Sequence, residues 1–242
     1  KGITLNGVNT FNLNTLDGLW AQTKGAITVS GLTASSNTLN GVYLDNQMDG
    51  ATGFVKILGV NKFETNDIGL LVKSHGYITV NSVSAIGNTV GGVRLDNFTV
   101  TITVTTLPTY VTLTGVNSFL GNTGNGLDIK TDGNITLNAI TANLNTGNGV
   151  NLDNLLRWHT TAVGVVTLTG ANTFLDNSGD GLNIESKGAV KLYNITADVN
   201  HARGVYVKTG SSLFMSCGSI TGNTSFGWDI TAGTTVLLKG VY

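Results

Sequence analysis

The stretch GVNSFLGNTGNGLDIKTDGNITLNAITANLNTGNGVNLDN, residues 115–154, decides the fold because it states one pattern twice. Asn122-Thr123-Gly124-Asn125-Gly126 leads into Leu127-Asp128-Ile129, and 23 residues later Asn145-Thr146-Gly147-Asn148-Gly149 leads into Val150-Asn151-Leu152. Apolar residues at alternate positions mark a strand with one buried face. A fixed interval between such strands marks a repeat, so the whole chain has to be read as repeats before anything else.

Working outward, the glycine that opens this strand recurs as Gly18, Gly41, Gly69, Gly92, Gly126, Gly149, Gly181, Gly204 and Gly227, with steps of 23, 28, 23, 34, 23, 32, 23 and 23 residues. Taking away the basic step leaves insertions at 47–53, 98–109 and 155–164, always on alternate coils and always after the same strand. A second strand per coil reads Ile3-Thr4-Leu5, Ile27-Thr28-Val29, Val55-Lys56-Ile57 and so on to Val190-Lys191-Leu192, its middle residue facing outward. Between the two lies a third apolar row, Phe11, Ala34, Phe63, Ala85, Phe119, Ala142, Phe174, Ala197 and Ile220, in which large and small residues alternate so that stacked layers interlock.

The most specific signal is polar. Asn14, Asn37, Asn88, Asn122, Asn145, Asn177, Asn200 and Asn223 each stand four residues before a glycine, and Asn66 stands three before because its coil is one residue short. A side-chain amide can donate to and accept from its equivalent about 4.8 Å away in the next coil. Asparagine also tolerates the left-handed backbone of a sharp corner, so a stacked asparagine ladder at a left-handed corner is expected. The prediction is an all-β chain, a single right-handed parallel β-helix over 1–242, with about nine to ten coils of 23 residues and three short strands each. No coil hides its apolar side alone, so the array is stable only as a stack.

Composition narrows the function. Gly 33, Pro 1 and 11% charged residues suit strands and turns better than helices. A formal net charge of -1 without a Lys/Arg cluster argues against a nucleic-acid partner. No apolar run of about 18 residues argues for membrane insertion. Cys217 is alone, which leaves no intrachain disulfide, and it is expected to be a buried, inert thiol. The chain starts at Lys1 rather than Met, as a mature form or a segment of something longer would.

Three strands per turn, an asparagine ladder and insertions at one corner resemble the pectin-lyase-like superfamily of right-handed parallel β-helices. That superfamily includes polysaccharide lyases and hydrolases, phage tailspikes and non-catalytic repeat regions of large bacterial surface proteins. The tandem texture GVNTF, GVNSF, GANTF and NGVYLDN, NGVNLDN is most similar to the last group. Fold alone does not choose among them. The resemblance places the enzymes' acids, arginines and calcium ligands on the outer side of the Ile-Thr-Leu strand. Here the matching rows are Thr4, Thr28, Lys56, Thr79, Thr112, Thr136, Thr167, Lys191 and Asn6, Ser30, Leu58, Asn81, Thr114, Asn138, Thr169, Tyr193. Neither row carries a carboxylate, whereas glycoside hydrolysis calls for two.

Acids recur instead in the row Gln22, Asp45, Lys73, Asp96, Lys130, Asp153, Glu185, Lys208, Thr231, where both signs of charge alternate up the stack; this reads as a structural ladder, with no calcium site. His75, at a corner before Gly76, is expected to be solvated. The insertions are the best place for contacts, with Arg157, Trp158 and His159 as a candidate contact group; outward Trp20, Tyr43 and Tyr206 are secondary candidates. Asn97, Asn134, Asn194 and Asn223 open Asn-x-Ser/Thr sequences, of which the last belongs to the ladder.

The sequence therefore leads to a non-enzymatic structural or adhesive module of a bacterial cell-surface or extracellular protein, with no cofactor. Its coils run to the last residues, where Val236 to Leu238 starts another strand, and an uncapped solenoid end invites either more chain or a second copy joined end to end. A carbohydrate or a surface protein is the expected ligand. The rival reading is a polysaccharide lyase or hydrolase, or a phage depolymerase, with Asp49 as one acid; ice binding by the threonine rows is a third.

Overall fold

The computed structural model describes residues 1–97, 109–155 and 164–242. Among them are 26 strands and no helix, and every strand pair is parallel. The chain is a right-handed parallel β-helix. Its third strands, from Leu19–Gln22 to Trp228–Ala232, form one nine-stranded sheet; the first and second strands form a 17-stranded sheet. These two merge because Val190–Asp198 and Leu213–Ser219 run unbroken around the corner between them.

The expected register holds. Ile78 lies beside Val111, Val111 beside Ile135 and Ile135 beside Val166, which puts the apolar residues of successive coils in columns inside the rod. The alternating column is also present: Phe63 pairs with Ala34 and Ala85, and Phe119 with Ala85 and Ala142, all fully buried. Each such residue contributes about 1.5–3 kcal/mol when large and apolar, against the entropy of ordering its coil.

The asparagine ladder spans all nine predicted positions. In its middle, Asn88 donates from both its main-chain N and Nδ2 to the Asn122 Oδ1, at 3.0 and 2.9 Å, and Asn66 does the same to Asn88 at 3.0 and 3.2 Å. The second Nδ2 proton goes to a carbonyl of the preceding coil's second strand, as from Asn145 to the Phe119 carbonyl at 3.1 Å. Every buried polar atom of the amide is thereby used, and the ladder absorbs the short coil at Asn66 without a break.

One expectation about this corner is corrected. The left-handed residue is not the ladder asparagine but the one before it: Leu13, Ser36, Thr65, Gly87, Gly121, Leu144, Asp176, Val199 and Gly222 all have φ between 52° and 65°. Leu and the β-branched Thr and Val are poor choices for this conformation. The two-pronged amide bonds over-determine the corner, and they hold these residues there against their local preference.

The structure also shows a longer period than 23. At the first-to-second-strand corner, alternate coils carry Gly-Val-Asn or Gly-Ala-Asn, with Asn61, Asn117 and Asn172 buried. In the coils between, the paired inward residue is apolar, Val83 beside Asn61 and Ile140 beside Asn117. The extra corner residue projects outward, leaving Val60 76% and Val116 75% exposed. Each of these asparagines closes its own turn and reaches the next coil; Asn172 Nδ2 donates to the Gly170 and Tyr193 carbonyls at 3.1 and 3.0 Å. The structural unit is therefore a pair of coils, long-cornered and short-cornered, and the insertions fall on the short-cornered member.

Candidate functional site on the third face

The rod has three outward faces of different chemistry. The first carries the predicted threonine row, with Thr79, Thr112, Thr136 and Thr167 in register. The second carries a hydroxyl row as well: Thr10, Thr33, Lys62, Ser84, Ser118, Thr141, Thr173, Thr196 and Ser219. Threonine suits an exposed strand position on its own account, so these rows need no ligand to explain them. Lys56 and Lys62 interrupt both rows in the same coil, where Lys62 pairs with Glu64 at 2.9 Å.

The first face also carries a column that sequence reading missed. Phe54, Tyr77 and Tyr110 stack with centroids 4.6 and 4.8 Å apart and planes within 7°, and the Lys56 Nζ lies 4.7 Å from the Phe54 centroid. The signal was present, since each ring directly precedes the first inward residue of a first strand, Val55, Ile78 or Val111. The ring faces are turned on one another.

The third face is the varied one. One outward row runs Trp20, Tyr43, Leu71, Arg94, Asp128, Asn151, Asn183, Tyr206, Asp229, each beside the next in register. Trp20 and Tyr43 are therefore neighbours rather than scattered aromatics. Trp20 is 64% exposed. Tyr43 is fixed: its hydroxyl donates to Asp45 Oδ2 at 3.1 Å, and Lys73 Nζ lies 5.7 Å from its ring centroid. Burial, then the nearby Asp45 carboxylate, pushes the Tyr43 hydroxyl up to about 12. At the other end, Arg203 stacks at 3.8 Å on Tyr206 and reaches Asp180 at 2.8 Å and Asp229 at 3.0 Å, tying three coils together. The hydrogen bonds to Asp180 hold the guanidinium more firmly protonated than usual, against the opposing effect of burial.

The second outward row has the predicted order, with Asp45 beside Gln22 and Lys73, and Lys130 beside Asp96 and Asp153. The acids have a more local task than alternation of charge. Asp45, 9% exposed, accepts from Gln47 N at 2.8 Å as well as from Gln22 Nε2 at 3.3 Å; Asp153 likewise accepts from Leu155 N at 3.1 Å. Each closes the turn that opens an insertion. The asparagine that follows braces the insertion's base, Asn46 donating to the Gly25 carbonyl at 3.2 Å and Asn154 to that of Gly133 at 3.1 Å. Leu-Asp-Asn is thus an insertion motif.

Two expectations fail. Cys217 is exposed, because it occupies a one-residue corner with φ 59° and is turned out of the strand's alternation. His75 is buried at 8% exposure, because Gln47 folds over its corner and donates to the Ser74 carbonyl at 3.4 Å. Arg157, Trp158 and His159 lie outside the described residues, as do 98–108 of the second insertion. Among the described residues, no three His, Cys, Asp or Glu side chains are grouped to hold a metal, and no helix is long and apolar enough to cross a membrane.

Fold and faces together define a class, a right-handed parallel β-helix built as a repeat module. No protein-family model, curated protein or solved structure matches the chain. Its chemistry has to be argued from its own residues.

Proposed function

We propose that the chain is a non-enzymatic structural or adhesive module of a bacterial cell-surface or extracellular protein, similar to the non-catalytic tandem-coil repeats of the pectin-lyase-like superfamily. The observation that carries this reading is the uninterrupted ladder from Asn14 to Asn223, with hydroxyl rows running beside it through the same coils. A stack held by one-per-coil contacts lengthens by copying coils and keeps the same faces throughout. The same parallel edge that joins neighbouring coils, as Leu213–Ser219 joins Val236–Val241, is the kind of edge that would join one copy to another in this reading.

Electron microscopy of the protein at increasing concentration tests this reading. Rods that join end to end are expected, and isolated particles at all concentrations count against assembly. The enzymatic alternative is tested on uronate and neutral polysaccharides. Asp49 sits exposed in the first insertion. Turnover abolished by Asp49→Ala replaces the adhesive reading with that of a depolymerase.

A further inference from the structure

We propose that the third face, from Trp20 to Asp128, is a binding strip for a neutral polysaccharide. The inference deepens the adhesive reading and rests on it. Trp20, Tyr43, Leu71, Arg94 and Asp128 are consecutive in one outward row, so they span four coil steps, about 19 Å. The other two faces fill most of their central outward positions with threonine and serine, which already suit a pleated surface. Trp20 and Leu71, on either side of Tyr43, exceed that need.

The far end of the strip is hollow. A cavity of about 90 Å³ is lined by Ile68, Val90, Gly91, Arg94, Asn125 and Asp128. It exists because Gly91 lacks a side chain where the adjacent coils carry Ile68 and Asn125. Neither backbone nor packing demands that glycine. Its φ is not left-handed, and a Cβ there would meet only the Asn125 carbonyl, at 3.4 Å. The ladder-side glycines differ: a Cβ on the neighbouring Gly92 would lie 2.3 Å from the Gly126 carbonyl. A glycine inside a strand that nothing requires leaves a strand weaker and a pocket open.

The chemistry of the strip fits a polyhydroxylated chain. Aromatic and aliphatic faces take the C–H surfaces of sugar rings, and the Arg94–Asp128 pair, 3.8 Å apart, offers donors and acceptors at the mouth of the cavity for a hydroxyl or hydroxymethyl group. Tyr43 is pinned by Asp45 and Lys73, which lowers the entropy lost on binding. Positive and negative side chains alternate beside the strip at Asp45, Lys73 and Asp96, so no sustained potential favours a polyanion. The Phe54, Tyr77 and Tyr110 column is a poorer platform, since Tyr77 is stacked on both faces and Phe54 lies against both Tyr77 and the Lys56 ammonium.

Native affinity electrophoresis of the full chain in gels containing hydroxyethylcellulose, xylan, glucomannan or polygalacturonate tests the strip. Retardation in at least one neutral gel is expected, weakened about tenfold by Trp20→Ala and by Gly91→Val, and kept within about threefold by Trp20→Tyr. Thermal melting separates binding from folding, because Gly91→Val should melt no lower than the parent. No retardation in any neutral gel, retardation only with polygalacturonate, or retardation indifferent to both weakening substitutions overturns the proposal. Release of new reducing ends in a retarding gel overturns the non-enzymatic reading and leaves the strip standing.

Discussion

The side-chain oxygen of Asn145 receives two hydrogen bonds from Asn122, one from the main-chain N–H and one from Nδ2, each 3.0 Å long. The other Nδ2 proton goes to the Ala85 carbonyl at 3.1 Å. Asn122→Ala leaves the Asn88 main-chain N–H and the Ala85 carbonyl of the preceding coil without these bonds and takes one of two from Asn145 Oδ1, and a loss of about 3 kcal/mol is expected from urea midpoints. Asn122→Asp is the harsher change, because it turns an oxygen toward two acceptors. Burial raises the introduced carboxyl's pKa above its unfolded value of about 3.9, so its deficit is largest at neutral pH and shrinks as pH falls toward 4. A pH-independent deficit for Asn122→Asp would mean that the corner opens to water.

The large-small column predicts a compensating pair. Phe119→Ala opens a cavity beside Ala142 and should cost about 3–5 kcal/mol. Ala142→Phe overfills its layer and should cost about 1–3 kcal/mol. Combining them moves the ring by one coil, and the double variant should be more stable than the sum of the two losses implies. Strict additivity in a denaturation cycle would show that the layers do not interlock.

Two glycines of like appearance should respond in opposite ways. A Cβ on Gly126 would lie 2.7 Å from the Gly149 carbonyl and 2.8 Å from the Asn145 Nδ2, so Gly126→Ala forces the coils apart and should cost at least about 1–3 kcal/mol. Gly91→Ala meets no such obstacle and should be neutral or up to about 1 kcal/mol stabilising. Melting curves of the two variants, taken side by side, check both signs.

The stacking register was legible in the sequence because it is carried by period-two apolar residues and one asparagine per coil. Neither signal depends on loops. The Asn61, Asn117 and Asn172 set was on view as Gly-Val-Asn and Gly-Ala-Asn, but its role appears only when Ile140 is found beside Asn117 in the alternate coil. Leu13 and Val199 at left-handed corners were not legible, since local preference argues against them and tertiary hydrogen bonds prevail. Cys217 was misread because alternation fails at a corner. Of the candidate strip, the Trp20–Tyr43 adjacency follows from the 23-residue step, whereas the hollow at Gly91 shows only once three coils bring Ile68, Arg94 and Asn125 around it.

Tyr43 gives the face a pH signature. Its hydroxyl is raised from 10.0 to about 12, so the neutral form is favoured by the fold. The associated stability is fully present below pH 10 and is lost as pH rises from about 10 to about 12. An ultraviolet tyrosinate titration of the parent minus that of Tyr43→Phe should isolate one group titrating near the upper value. A difference curve centred at 10 would show that in solution the Tyr43 hydroxyl is neither buried nor held beside Asp45.

Amide hydrolysis at Asn-Gly provides a coil-by-coil report on the stack. Four such pairs occur, at Asn6, Asn40, Asn125 and Asn148. The reaction needs the glycine N to attack the asparagine side chain, and three of those nitrogens are committed to the next coil's backbone: Gly41 to Ile68 at 2.8 Å, Gly126 to Asn148 at 3.0 Å, and Gly149 to Asp180 at 2.9 Å. Gly7 N donates instead to an exposed side chain, the Ser30 hydroxyl, at 3.1 Å. Incubation of the folded protein at mildly alkaline pH should therefore modify Asn6 first and spare the other three, while urea should expose all four at similar rates, as peptide mass spectrometry would record. Equal modification of Asn6 and Asn125 in the folded state would mean that the coil-to-coil bond of Gly126 opens as readily as the side-chain bond of Gly7, and the cooperative stack would have to be abandoned.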